Sequence, residues 1–218
     1  MNNVKDNIGW ADYTWNPITG CKGGCEYCYA KKMYHRQGWS FEPTFHPERL
    51  AELKKLKEPS RIFCGSVTDF WGEGVKQDWR DKVYAAMAKT PHTFFLLTKQ
   101  PQNIPNDEPI PDNCWVGVSV TGPKDLWRLV DLNIKTLQTE RSFVSIEPLL
   151  ADVDEWGILF DVGWIIVGGL SPKAAHKNEW VDKIIAQASS FNIPLYLKDN
   201  LHYPKIIKEF PIFPPPTS

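Results

Sequence analysis

Three of the five cysteines, Cys21, Cys25 and Cys28, fall within eight residues in the run Thr19-Gly20-Cys21-Lys22-Gly23-Gly24-Cys25-Glu26-Tyr27-Cys28-Tyr29-Ala30. An odd number of thiols crowded into one loop makes a poor disulfide framework and a good metal framework. Spaced as C-x3-C-x2-C, three thiolates can hold three irons of a 4Fe–4S cube and leave the fourth without a protein ligand, whereas electron-transfer clusters take four cysteines. An open iron is a place for a small molecule to coordinate. Gly20, Gly23 and Gly24 let the backbone wrap tightly, since glycine accepts left-handed dihedrals. The competing reading is a tetrahedral zinc site completed by His35, although such sites usually present their cysteines as C-x2-C pairs. Cys64, inside Arg61-Ile62-Phe63-Cys64-Gly65, and Cys114, ahead of Trp115-Val116-Gly117-Val118, read as small buried residues rather than ligands.

The elements that must position this loop are legible as continuous apolar runs of strand length: Tyr13 to Trp15, Ile62 to Gly65, Thr93 to Leu97, Trp115 to Val120, Ser142 to Ile146, Trp164 to Gly168 and Pro194 to Leu197. Continuous rather than alternating apolar character marks strands buried on both faces of a parallel sheet. Amphipathic stretches lie between them: Tyr27 to Arg36, Pro47 to Leu56, Asp78 to Ala88, Lys124 to Leu137 and Asn178 to Ser190. Pro47 followed by Glu48 suits a helix first turn. Six or seven such units fit either a doubly wound open sheet or a partial α/β barrel; the expectation is an α/β fold, a partial (βα)6-type parallel barrel in a single domain over 1–210 with a proline-rich tail at 211–218. The proline-rich stretch Gln100 to Asn113 predicts an ordered surface loop.

In such folds function gathers beyond the C-terminal strand ends. The unusual polar residues stand there: the cysteine loop, then Ser66, Thr68 and Asp69, then Thr98 and Lys99, Ser119, Glu147, Gly168 with Gly169, and Lys198 with Asp199. The expectation is that Cys25, Asp69, Lys99, Ser119 and Glu147 border one cavity. Taken singly, each of these has a plainer reading as a loop or helix cap or a surface charge.

With 218 residues, 42% apolar and 13% aromatic, the chain can bury a large core. Lys and Arg number 25 against 26 Asp and Glu, so the chain as a whole has no footprint for a polyanion. The best local basic patch, Lys31, Lys32, His35 and Arg36, reads first as a solvated helix face. Neither a signal peptide nor an apolar run of membrane length is seen, so a soluble, cytoplasmic monomer with no membrane association is expected.

At the cysteine loop the chain resembles the radical S-adenosylmethionine superfamily, whose signature is C-x3-C-x-aromatic-C, with Tyr27 as the aromatic. Thr14-Trp15-Asn16-Pro17, Gly65 to Trp71, Leu97-Thr98-Lys99, Gly117 to Val120, Ser145 to Leu150 and Val167-Gly168-Gly169 further resemble a phage-associated three-cysteine family of unknown function, related to the spore photoproduct lyase branch. The resemblance implies an iron–sulfur enzyme that cleaves S-adenosylmethionine reductively to a 5′-deoxyadenosyl radical, which takes hydrogen from a substrate. It implies Cys21, Cys25 and Cys28 as cluster ligands, and Ser66, Thr68, Asp69, Lys99 and Ser119 around the cofactor; Glu147, at its strand end, is a further cofactor-binding candidate as an acceptor for ribose hydroxyls or a substrate. An external electron donor follows, because no second cluster has ligands, and a nucleic-acid base is the candidate substrate. Leu170 stands where the resemblance calls for an acid after the glycine pair. The alternative reading is a non-catalytic adaptor module holding iron–sulfur or zinc.

Overall fold

The computed structural model describes residues 1–6, 8–136, 139–153, 162–171 and 176–213. The chain divides into two compact units, residues 1–115 and 116–213.

In the first unit, β1 (Asn2–Asn3) runs antiparallel to β2 (Tyr13–Trp15). The strands β5 (Arg61–Cys64) and β6 (Thr93–Thr98) continue the sheet in parallel, with Thr14 opposite Phe63 and Phe63 opposite Phe95. Ile62, Cys64, Phe94, Phe95 and Leu96 are all buried, as continuous apolar runs require when both faces are covered. Trp10, Trp15, Phe70 and Trp71 fill the space around them. A short antiparallel pair, β3 (Ile18–Thr19) with β4 (Thr44–Phe45), forms a separate two-stranded sheet and was not legible in the sequence. Its position matters, because Thr19 leads straight into the cysteine loop.

Two helices serve this unit, α1 (Tyr29–Arg36) and α2 (Gln77–Met87). Cys28 caps α1, its Sγ accepting the Lys31 N–H at 3.3 Å, and His35 with Arg36 complement the carbonyl end of the dipole. The segment Pro47–Lys55, expected as an α-helix, is a 3-10 helix instead. Only Leu53 along it is buried, so packing offers little to stabilise a full α-helical face.

In the second unit β7 (Cys114–Val120), which begins in the first, is followed by β8 (Ser142–Ile146), β9 (Trp164–Val167) and β10 (Leu195–Leu197), each parallel to the one before. Helices α3 (Trp127–Thr136) and α4 (Asn178–Ser190) accompany them. The expected α/β class with mostly parallel strands laid down in chain order is the one observed. Among the described residues, no helix is long and apolar enough to cross a membrane.

Candidate metal centre

The cysteine loop is fastened by the turn that follows β5. The Gly20 N–H donates to the Val67 carbonyl at 3.2 Å, and the Thr68 hydroxyl donates to the Gly20 carbonyl at 2.6 Å. Tyr29, just past the last cysteine, donates its hydroxyl to the Ser66 carbonyl at 2.7 Å. Asn16, between β2 and β3, exchanges hydrogen bonds with the Ser66 hydroxyl. Both ends of the loop are therefore tied to residues 66–68, while the thiols themselves stay half-buried.

Gly20 is the glycine that the loop needs for its backbone. It holds φ +84°, and a Cβ there would lie 2.2 Å from the Glu42 carbonyl oxygen. Gly23 and Gly24 do not use left-handed dihedrals. Gly23 instead lets its N–H approach the Cys21 sulfur at 3.2 Å, and Gly24 has open space around it. Gly20→Ala is accordingly expected to cost upwards of about 2 kcal/mol, the left-handed penalty plus a backbone collision, and to lower the thermal midpoint. Gly24→Ala should stay within about 0.5 kcal/mol of the parent in the same melt.

Asp69 is buried, and its carboxylate is spent internally. One oxygen accepts the Thr98 hydroxyl at 2.6 Å and the other accepts the Lys99 N–H at 2.8 Å. Asp69 thus locks the end of β5 to the end of β6. Burial pushes the Cys21 thiol above its usual range, with the Asp69 carboxylate and Cys25 adding to the shift against the N–H groups of Gly23 and Asp69, which favour thiolate. From the end of β6 the Lys99 ammonium lies 5.8 Å over the ring of Tyr27, between the second and third cysteines. Lys22, within the loop, faces Glu73 at 3.6 Å and Glu42 at 4.0 Å.

Three soft sulfur donors on one fastened loop suit an iron–sulfur cluster. Among the described residues no three His, Cys, Asp or Glu side chains are already drawn together as ligands of a single metal ion. A cubane spreads its cysteines over three separate irons, so its ligands stand farther apart than those of one zinc. His35 lies on the exposed side of α1.

The second unit has its own polar cluster at its strand ends. Lys198, after β10, donates to Glu147 Oε1, after β8, at 2.5 Å. Asn200 donates to the same oxygen at 3.2 Å and to the Gly169 carbonyl at 2.9 Å. A Cβ on Gly168 would sit 2.7 Å from the Glu147 carboxyl group, which explains glycine after β9. Ser119 is buried within β7, its carbonyl accepting from Arg128 at 2.7 Å. The first unit thus brings Ser66, Thr68, Asp69 and Lys99 around the cysteine loop, and the second gathers Glu147, Lys198 and Asn200. Sequence reasoning singled out neither Asn16 nor Asn200. Both act through side-chain contacts with residues tens of positions away, which leave no local pattern.

Comparison with solved structures places the fold among those of spore photoproduct lyase. A double mutant of that enzyme with bound AdoMet and dinucleoside spore photoproduct matches with a TM-score of 0.61 at 13% identity, over 86% of this chain and 76% of the other. Spore photoproduct lyase complexed with dinucleoside spore photoproduct matches with a TM-score of 0.59 over the same shares, also at 13% identity. At that identity the likeness establishes the partial-barrel α/β fold. The chain belongs to the family described as "Protein of unknown function (DUF5131)", whose profile matches residues 5–208. No curated protein matches it in sequence.

Proposed function

We propose that the chain is a radical S-adenosylmethionine enzyme with a 4Fe–4S cluster on Cys21, Cys25 and Cys28. The observation that carries this reading is the cysteine loop itself, fastened at both ends to residues 66–68 after the first parallel strand pair. When bound, the cluster and S-adenosylmethionine supply a 5′-deoxyadenosyl radical for hydrogen abstraction. A fold shared with a protein that has been seen with AdoMet bound supports the cofactor.

The chain's own residues have distinct parts in this reading. Ser66 and Thr68, among the residues around the cofactor, also position the loop by hydrogen bonds to Asn16 and the Gly20 carbonyl. Asp69 orients Lys99 by binding its N–H. Lys99, whose ammonium reaches Tyr27, would pair with the methionine carboxylate. In the second unit Glu147, held by Lys198 and Asn200, offers a carboxylate to a ribose or substrate hydroxyl, and Ser119 is a backbone support within β7. Electrons come from an external donor. A nucleic-acid base is the substrate class, the dinucleoside in the similar structures being the supporting observation.

The test is anaerobic reconstitution with iron and sulfide, then chromatography of products formed with S-adenosylmethionine and a strong reductant. Brown protein with about four irons per chain and 5′-deoxyadenosine as product is the expected result. Colourless protein holding one zinc would replace this reading with the adaptor module. Lys99→Ala should keep its iron and bind S-adenosylmethionine about tenfold to a hundredfold more weakly by titration, the worth of one charge-assisted contact. Unchanged affinity would remove Lys99 from the cofactor's partners.

A further inference from the structure

We propose that the solvent face of α1, with the rings of Tyr29 and Trp39 at its two ends, is a binding track for single-stranded nucleic acid that leads onto the cysteine loop. This deepens the function proposed above and rests on that loop being the chemical centre.

The eight residues of α1 include Lys31, Lys32, His35 and Arg36 and no acid. At 3.6 residues per turn these four side chains fall within an arc of about 140°, opposite the buried Ala30. All four are exposed, and among the described residues none has a carboxylate within ion-pair distance. Elsewhere in the first unit Lys22, Arg49, Arg61, Arg80 and Lys82 each face a carboxylate within 4.0 Å, whereas the exposed Lys54, Lys55 and Lys57, like the cations of α1, face none among the described residues; what sets α1 apart is the exposed ring at each of its ends. Of the acids nearest in sequence, Glu42 lies beside Lys22, and Glu26 is exposed within the cysteine loop. A strip of basic side chains with no carboxylate partner among the described residues complements a polyanion.

The aromatics give the strip its specificity. Tyr29 is 60% exposed although its hydroxyl is tied to the Ser66 carbonyl, so the ring is both held and presented. Trp39, past the end of α1, is also 60% exposed while its ring stands edge-on to Tyr34, itself packed against Phe41. Cations tracking a backbone with rings that receive unpaired bases are the combination single-strand binders use. A duplex keeps its bases stacked and would offer neither ring a base face. A membrane surface would call for an aliphatic stripe alongside the cations, and the exposed side of α1 has none.

Fluorescence anisotropy of a labelled 15-nucleotide mixed-sequence DNA strand, titrated with the full chain across a salt series, tests the track. Binding should weaken with salt by a log–log slope of about −0.7 per phosphate engaged. Lys32→Gln with Arg36→Gln should make the slope shallower by about 1.4, while Trp39→Ala should weaken binding about tenfold and leave the slope alone. Iron content of both variants should match the parent. Identical binding by parent and variants, tighter binding of the matched duplex, or preference for phosphatidylserine vesicles over the strand would overturn the proposal. Iron incorporation and 5′-deoxyadenosine formation are read separately, so a protein that makes the product but shows no variant effect sinks the track alone. A protein that binds as described without taking up iron keeps the track and sinks the metal centre.

Discussion

Cys25→Ala, reconstituted anaerobically beside the parent, is expected to take up almost no iron and to form no 5′-deoxyadenosine. The substitution removes one of three sulfurs from a centre that already leaves one iron without a protein ligand, and a cube held at two corners has little to retain it. The loop should otherwise keep its course, because its fastenings at Gly20, Thr68 and Tyr29 do not involve the Cys25 side chain. The iron-free thermal midpoint should therefore match that of the iron-free parent, which separates loss of a ligand from loss of the fold. Cys64→Ala and Cys114→Ala supply the contrast. Both thiols are buried, Cys64 lying in β5 opposite Leu96 and Cys114 contacting Met87 sulfur at 3.6 Å. Burial, with Cys114 nearby, holds the Cys64 thiol well above its usual range, so it keeps its proton and makes a poor ligand. Each should cost stability through lost packing and leave the iron count unchanged. Iron lost from either one would mean that the ligand set is wrong.

The parts of the fold that the sequence made legible are those governed by burial along one element. Tyr13–Trp15, Ser142–Ile146 and Asn178–Ser190 begin and end where the apolar pattern places them, because both faces of the strands and one stripe of the helix are covered. The cysteine loop was legible for a different reason: ligand chemistry constrains spacing within one short segment. What stayed hidden depends on contacts between distant residues. Asp69 and Lys99 could be picked as strand-end residues, but nothing local says that both Asp69 oxygens are spent on Thr98 and the Lys99 backbone. A carboxylate held by these bonds is fixed in place and in turn fixes the ends of β5 and β6. The β3–β4 pair escaped because two residues per strand are too few to show a period.

The largest effect on stability is expected at a site with no part in the chemistry. Glu108, in the proline-rich connection between β6 and β7, has a side chain only 1% exposed and accepts the Arg80 Nε–H at 2.8 Å and the Trp71 indole N–H at 3.3 Å. Arg80, on α2, is itself 8% exposed at the side chain and also reaches Gln77 and the Val75 carbonyl. The pair is what orders a connection whose prolines supply few backbone hydrogen bonds of their own. Glu108→Ala leaves a buried guanidinium without its anion and an indole N–H without its acceptor, which should cost about 3–5 kcal/mol. For a chain of this size that corresponds to a fall of roughly 6–20 °C in thermal midpoint. Glu108→Gln keeps an acceptor and the shape but still strands the positive charge, so it should fall between parent and Ala variant. Pairing Glu108→Leu with Arg80→Met removes both charges together, and most of the loss should return, since the penalty comes from an unpartnered buried charge rather than from the missing attraction. If the double variant melts as low as Glu108→Ala, the connection is held by the geometry of the ion pair itself and the desolvation account fails.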